Sequence, residues 1–134
     1  MSVISKEIAT NEINQWLTAI GTSEDQKEGL KNNVQILVNG VVSGALVIDP
    51  ETNNVTQKLR VVFGKEEKIS QLNFKPFLTV GEIETFKKSI SQDNDNRNTS
   101  AAICASTGNP YSVIEQMNAK DYNLSAALVL FFIV

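Results

Sequence analysis

Apolar residues recur along the chain in two rhythms, one helical and one alternating. Ile8, Ile13, Trp16, Leu17 and Ile20 fit one helical stripe, and Gly21 after them suits a left-handed position just past a helix end. Ser23 and Gln26 have the spacing of a capping box, with Glu24 and Asp25 at the positive end of the helix dipole. A second helix is therefore expected from Ser23, with Leu30, Val34, Leu37, Val38 and Val41 on one face and a limit set by Gly40 and Gly44. Because the segment is rich in valine, a strand from about Gln35 to Val38 competes with that reading.

From Ala45 the rhythm changes to two. Ala45 to Asp49 reads as a short strand, and Asp49-Pro50 to Asn54 as a turn. Val55 to Phe63 follows as a strand with Val55, Gln57, Leu59, Val61 and Phe63 on one face. Gly64 to Lys68 is a charged turn. Ile69 to Phe77 returns, with Leu72, Phe74 and Pro76 in alternation; Pro76 ends the strand or places it at an edge.

The remainder reads as helix. Thr79 and Glu82 form a capping box flanked by Leu78 and Ile83 as a hydrophobic staple, and Ile83, Phe86 and Ile90 share a face. Gln92 to Asn98 is a loop. A helix from Thr99 or Ser100 to Thr107 stops at Gly108. Asn109 caps the next, with Pro110 at its first position and Val113, Ile114 and Met117 apolar. Asn123 is the candidate cap of a last helix carrying Leu124, Ala127, Leu128, Phe131 and Phe132. The expected fold is α+β: a small antiparallel sheet of hairpins, N-terminal helices and a C-terminal helical bundle. Residues 1–134 form one domain. Its weakest seam, near Asp49 to Asn54, would subdivide it into an N-terminal helical segment, 1–54, and a hairpin-plus-helices region, 55–134.

Composition narrows the chemistry. The 134 residues include 12 basic and 15 acidic ones, a net charge of −3, and no histidine. That balance provides no broad footprint for nucleic acid or anionic lipid, and it removes the commonest general base and metal ligand. One cysteine, Cys104, permits neither an internal disulfide nor a cysteine zinc site. It lies among alanines and reads as a buried small hydrophobe. The paired acids Glu24/Asp25, Glu66/Glu67, Glu82/Glu84 and Asp93/Asp95 fall at helix starts and loop tips, where solvated charge is expected. Asp93 to Asn96 lacks the glycine and glutamate of a calcium loop. Gly64-Lys65 has Leu59 where a phosphate-binding loop has its first glycine. Lys58, Arg60, Lys65 and Lys68 are interleaved with Glu66 and Glu67 and read as a solvated hairpin. No catalytic residue, metal site or cofactor is assigned, and the chain is expected not to be an enzyme.

The N-terminus lacks the basic-then-apolar order of a secretory signal, and the apolar run Ala126 to Val134 is far shorter than a membrane span. A cytoplasmic protein with no membrane partner is expected. The run is either a buried terminal element or a docking segment for a partner.

The stretch from about Thr56 to Phe132, more than half the chain, resembles the small tail assembly chaperones of contractile-tailed phages and prophages. The resemblance is carried by Leu72-Asn73-Phe74-Lys75-Pro76-Phe77-Leu78-Thr79-Val80-Gly81-Glu82-Ile83, then Ala101 to Ser106, Thr107-Gly108-Asn109-Pro110, Val113 to Met117, Asp121-Tyr122 and the apolar end Leu124 to Phe132. It implies a non-enzymatic helper in the host cytoplasm that binds the tape-measure protein and promotes assembly of the tail-tube protein around it. It also implies a longer form made by frameshifting, of which an end at Val134 would suit the short form. A tape-measure protein is a long helix with apolar stripes, which a groove or terminal helix could cover. Leu72, Phe74, Leu128, Phe131 and Phe132 are the candidate contacts, with core packing as the alternative for each. Self-association is compatible with the family, and the charge pattern fixes no symmetry. Two other readings compete: a structural subunit of a tail or related contractile particle, and an unrelated intracellular binding domain or an enzyme with an unrecognised cofactor.

Overall fold

A computed structural model describes residues 4–134. The expected α+β architecture is present. Three helices, α1 (Lys6–Ala19), α2 (Glu24–Gly29) and α3 (Lys31–Ser43), precede an antiparallel sheet of β1 (Leu46–Ile48), β2 (Val55–Phe63) and β3 (Ile69–Phe74) in the order β1-β2-β3. Four helices follow: α4 (Val80–Lys87), α5 (Arg97–Thr107), α6 (Tyr111–Ile114) and α7 (Ala119–Ile133).

Local signals set most boundaries. α1 opens on Ser5, whose hydroxyl accepts the Ile8 N–H, and closes in a paired motif in which Gly21 (φ 93°) and Thr22 donate to the carbonyls of Thr18 and Leu17. Both expected capping boxes form, Ser23 with Gln26 and Thr79 with Glu82. Gly44 and Gly108 end α3 and α5 in left-handed conformations.

Several expectations are corrected. The second helix is two helices, kinked at Leu30 (φ −115°, ψ 28°) immediately after Gly29. The competing strand at Gln35 to Val38 lies wholly inside α3. Gly40 does not limit α3 but sits within it, where a Cβ would come 2.9 Å from Leu46 Cδ1; the absent side chain lets α3 close on β1. Ile8 is exposed and Ala9 takes its place in the core stripe. β3 ends at Phe74, because the Lys75 N–H leaves the sheet for the Ser106 carbonyl. Ile90 is buried, but from the turn beyond α4. α5 starts at Arg97, whose guanidinium holds the carbonyls of Lys87 and Ile90. Pro110 caps α6, not Asn109. α7 begins after Asn118, whose side chain accepts the Lys120 N–H, so Asn123 lies inside the helix.

The core follows from α7. It packs on α3, α5 and β2, and buries Ala127, Leu128, Val129 and Phe131. Leu72 and Phe74 face inward from β3, and Ala101 to Ala105 of α5 bring that helix close. Asp121 is the principal polar anchor. β1 runs out at the pair Leu46↔Gln57, and beyond Lys58↔Gln71 the register with β3 slips, so that Leu59, Arg60, Val61 and Val62 stand against Ser70 alone before Phe63↔Ile69. This bulge turns Val61 outward, against the expected alternation. Its freed N–H groups need acceptors. The Asp121 carboxylate, buried at 2% exposure in the first turn of α7, takes Arg60 N–H at 3.0 Å and Val61 N–H at 3.1 Å. Alongside it, fully buried Gln57 donates to the Asp121 carbonyl and accepts from the Ser125 hydroxyl.

Asp121→Ala should destabilise the protein by about 3 kcal/mol, since hydrogen bonds to a charged group are each worth about 1.5–3 kcal/mol and two donors lose their acceptor. Asp121→Asn, which keeps one acceptor oxygen, should fall between. Urea denaturation monitored by circular dichroism measures both; equal midpoints for the wild type and Asp121→Ala would refute the anchoring role.

Candidate partner-binding surface

The residues singled out from sequence as contacts are mostly interior. Leu72, Phe74, Leu128 and Phe131 are at most 4% exposed. This corrects the expectation that they form an open surface: α7 is central rather than peripheral, and β3 turns its apolar side toward it. Phe132 is half-buried and meets Trp16 edge-to-face at a centroid distance of 5.9 Å. Trp16 in turn donates its indole N–H to the Asn53 carbonyl, tying α1 to the β1–β2 turn.

The accessible apolar surface lies beside these residues, where the β3–α4 connection meets the end of α7. Lys75 is fixed to α5 twice: its N–H donates to the Ser106 carbonyl (3.2 Å), and its carbonyl accepts the Ser106 hydroxyl (2.7 Å). Pro76 turns inward, so Phe77 turns out, 63% exposed. Thr79 then caps α4 and leaves Val80, the first helical residue, 78% exposed. Ile133 and Val134 are the exposed end of α7. A shallow cleft of about 150 Å³ runs past Phe77, Leu78, Phe132 and Val134, and another of about 240 Å³ past Val80, Ile83 and Ile133. The end of α7 joins the two.

One carboxylate holds this connection. Glu82 accepts the Thr79 N–H on Oε1 (3.1 Å) and the Lys75 ammonium on Oε2 (2.7 Å). The Lys75 bond first, then those to Thr79, hold the Glu82 carboxyl below the ordinary carboxylate range. Glu84 pairs with Lys87 at 3.2 Å on the same helix. Sequence reading missed Phe77 and Val80 as surface residues, although signals for both exist. With Leu72, Phe74 and Pro76 inward, alternation puts Phe77 outward, and Val80 lies off the Ile83–Phe86 face.

The polar clusters elsewhere are occupied by internal bonds. In the loop before α5, Asn94 accepts the Asn96 N–H and donates to the Tyr111 hydroxyl, and Ser100 and Tyr122 share a hydrogen bond at 2.6 Å. Burial raises the Tyr122 hydroxyl pKa. Among the described residues no group of three or more acidic or cysteine side chains is placed to hold a metal ion. Cys104 is buried, and burial pushes its thiol up to about 11. Comparison with protein-family models, with characterised proteins and with solved structures finds no match to the chain.

Two outcomes follow from these ionisations. The Cys104 thiol should resist alkylation in the native state near pH 8 and react once urea unfolds the chain, as a mass-spectrometric time course will read; rapid native labelling would contradict its burial. Because the Glu82 pKa is depressed on folding, its contribution to stability is present above the unfolded carboxylate value and is lost as pH falls through the folded one. NMR titration should accordingly find Glu82 titrating below the other exposed glutamates, and Lys75→Met should move it back toward them.

Proposed function

We propose that this protein is a tail assembly chaperone of a contractile-tailed phage or prophage, acting by binding and not by catalysis. Its partners are then the tape-measure protein, whose apolar helical stripes it covers, and the tail-tube protein that polymerises around it. The site of action is the host cytoplasm. One observation carries the reading: the residues of the chaperone-like string, from Pro76 to Ile83, together with the apolar end of α7, make the open apolar surface around Phe77, Val80 and Ile133. The physical task suits that surface. A helical partner with an exposed apolar stripe loses that surface to water when three or four of its side chains seat against such a patch.

The test is co-expression of this chain with a tape-measure protein from the same genome. The wild type should raise the soluble fraction of the tape measure severalfold. The double variant Phe77→Ser/Val80→Ser should abolish that effect while keeping the wild-type melting curve, because both side chains are already in solvent. By contrast, Phe131→Ser should fail through the fold itself, since emptying a buried aromatic site costs about 3–5 kcal/mol. No solubilisation by the wild type, or full activity of the double variant, would overturn the reading. Recovery of the chain in fixed stoichiometry from finished particles would favour a structural subunit instead.

A further inference from the structure

The β3–α4 connection is a short exposed loop, yet it is bonded at both ends and across its middle. Lys75 is pinned to Ser106 of α5 through its N–H and its carbonyl. The Glu82 carboxylate bridges from α4 back to the Lys75 ammonium and to the Thr79 N–H, while the Glu82 N–H returns to the Thr79 hydroxyl. Between these bonds the chain presents Phe77, a large aromatic side chain left 63% exposed beside Val80 at 78%. Exposed loops ordinarily carry polar tips, and an aromatic ring held out on a clamped loop loses little conformational freedom when it is covered.

We propose that this loop is a preorganised binding knuckle in which Phe77 is the anchor for the uncharged apolar stripe of a single partner helix, and Glu82 is the residue that positions it. The inference rests on the binding role proposed above and adds its anchor and the character of its partner.

Area and charge select the occupant. Four exposed apolar side chains open on the order of 400 Å², against roughly 800 Å² per partner in a stable interface. That is too little for a second copy of this chain and enough for the face of one helix. The charges at the rim are paired within the molecule, Lys75 with Glu82 and Glu84 with Lys87. A partner bringing charge to this rim would have to compete with those pairs, whereas a partner offering Leu, Ile or Ala flanked by neutral polar residues meets no such cost.

The experiment uses the full chain, isotope-labelled, and a synthetic amphipathic peptide of about 18 residues with leucine at i, i+3, i+4 and i+7 and glutamine or serine elsewhere. Amide shift changes should concentrate at Phe77, Val80, Ile83 and Ile133, and the affinity should be nearly constant from about 50 to about 500 mM NaCl. Phe77→Ala should weaken binding about tenfold or more without moving the melting temperature. Glu82→Ala should weaken it and broaden the Phe77 amide resonance, and Glu82→Gln, which retains the cap on Thr79, should restore part of both.

Shift changes elsewhere on the protein, none at saturating peptide, or a steep loss of affinity with salt would overturn the inference. So would sedimentation of the free protein as a dimer that Phe77→Ala dissociates, because the patch would then belong to a second copy. Peptide binding at the knuckle without any effect on a tape-measure protein would leave this inference standing and defeat the phage assignment. Tape-measure solubilisation untouched by Phe77→Ala would do the opposite.

Discussion

A buried carboxylate at the start of α7 does for β2 what a neighbouring strand would otherwise do. β1 is three residues long and pairs with only the first part of β2, and the bulge beyond Lys58 removes β3 as a regular partner. Main-chain N–H groups left partly buried without acceptors are costly. Asp121 supplies those acceptors from a helix, and Gln57 and Ser125 extend the contact along α7. Helix and sheet are thereby fixed in register by directional bonds, which apolar packing alone does not specify. With its first turn locked to the sheet, α7 can be apolar on nearly all sides and still have one defined orientation.

That orientation decides which residues face solvent. α7 runs between α3, α5 and β2, so Leu128 and Phe131 become interior and the helix's final turn emerges beside the β3–α4 connection. There the Ser106–Lys75–Glu82–Thr79 bonds hold the connection in one shape. The molecule thus separates two kinds of apolar residue that composition treats alike. One kind fills the core, and the other is displayed on a rigid loop whose neighbouring charges are neutralised internally.

Catalysis finds little support in the same geometry. The paired acids of the sequence are spread over caps and turns, with Glu24 and Glu84 engaged by lysines and Glu82 by a cap and a lysine together. Cys104 is buried and its thiol is displaced toward the protonated form. The features that stand out are recognition features: an apolar patch, a fixed aromatic ring and a rim of satisfied charge.

The sequence by itself determined the elements whose causes are local. The Ser23–Gln26 and Thr79–Glu82 boxes and the glycines at 21, 44 and 108 act within a few residues, so their effects were legible without a fold. So were the limits of β2, set by the turn clusters on either side, and the α+β class. Tertiary structure alone decided the rest. The start of α7 at Asn118, the outward turn of Val61 and the role of Asp121 all arise from groups about sixty residues apart, whose pairing no local rhythm encodes. The same holds for the contact surface. Hydrophobicity marks Phe74, Phe77 and Phe131 equally, and only the packing of α7 against the sheet determines which of them water can reach.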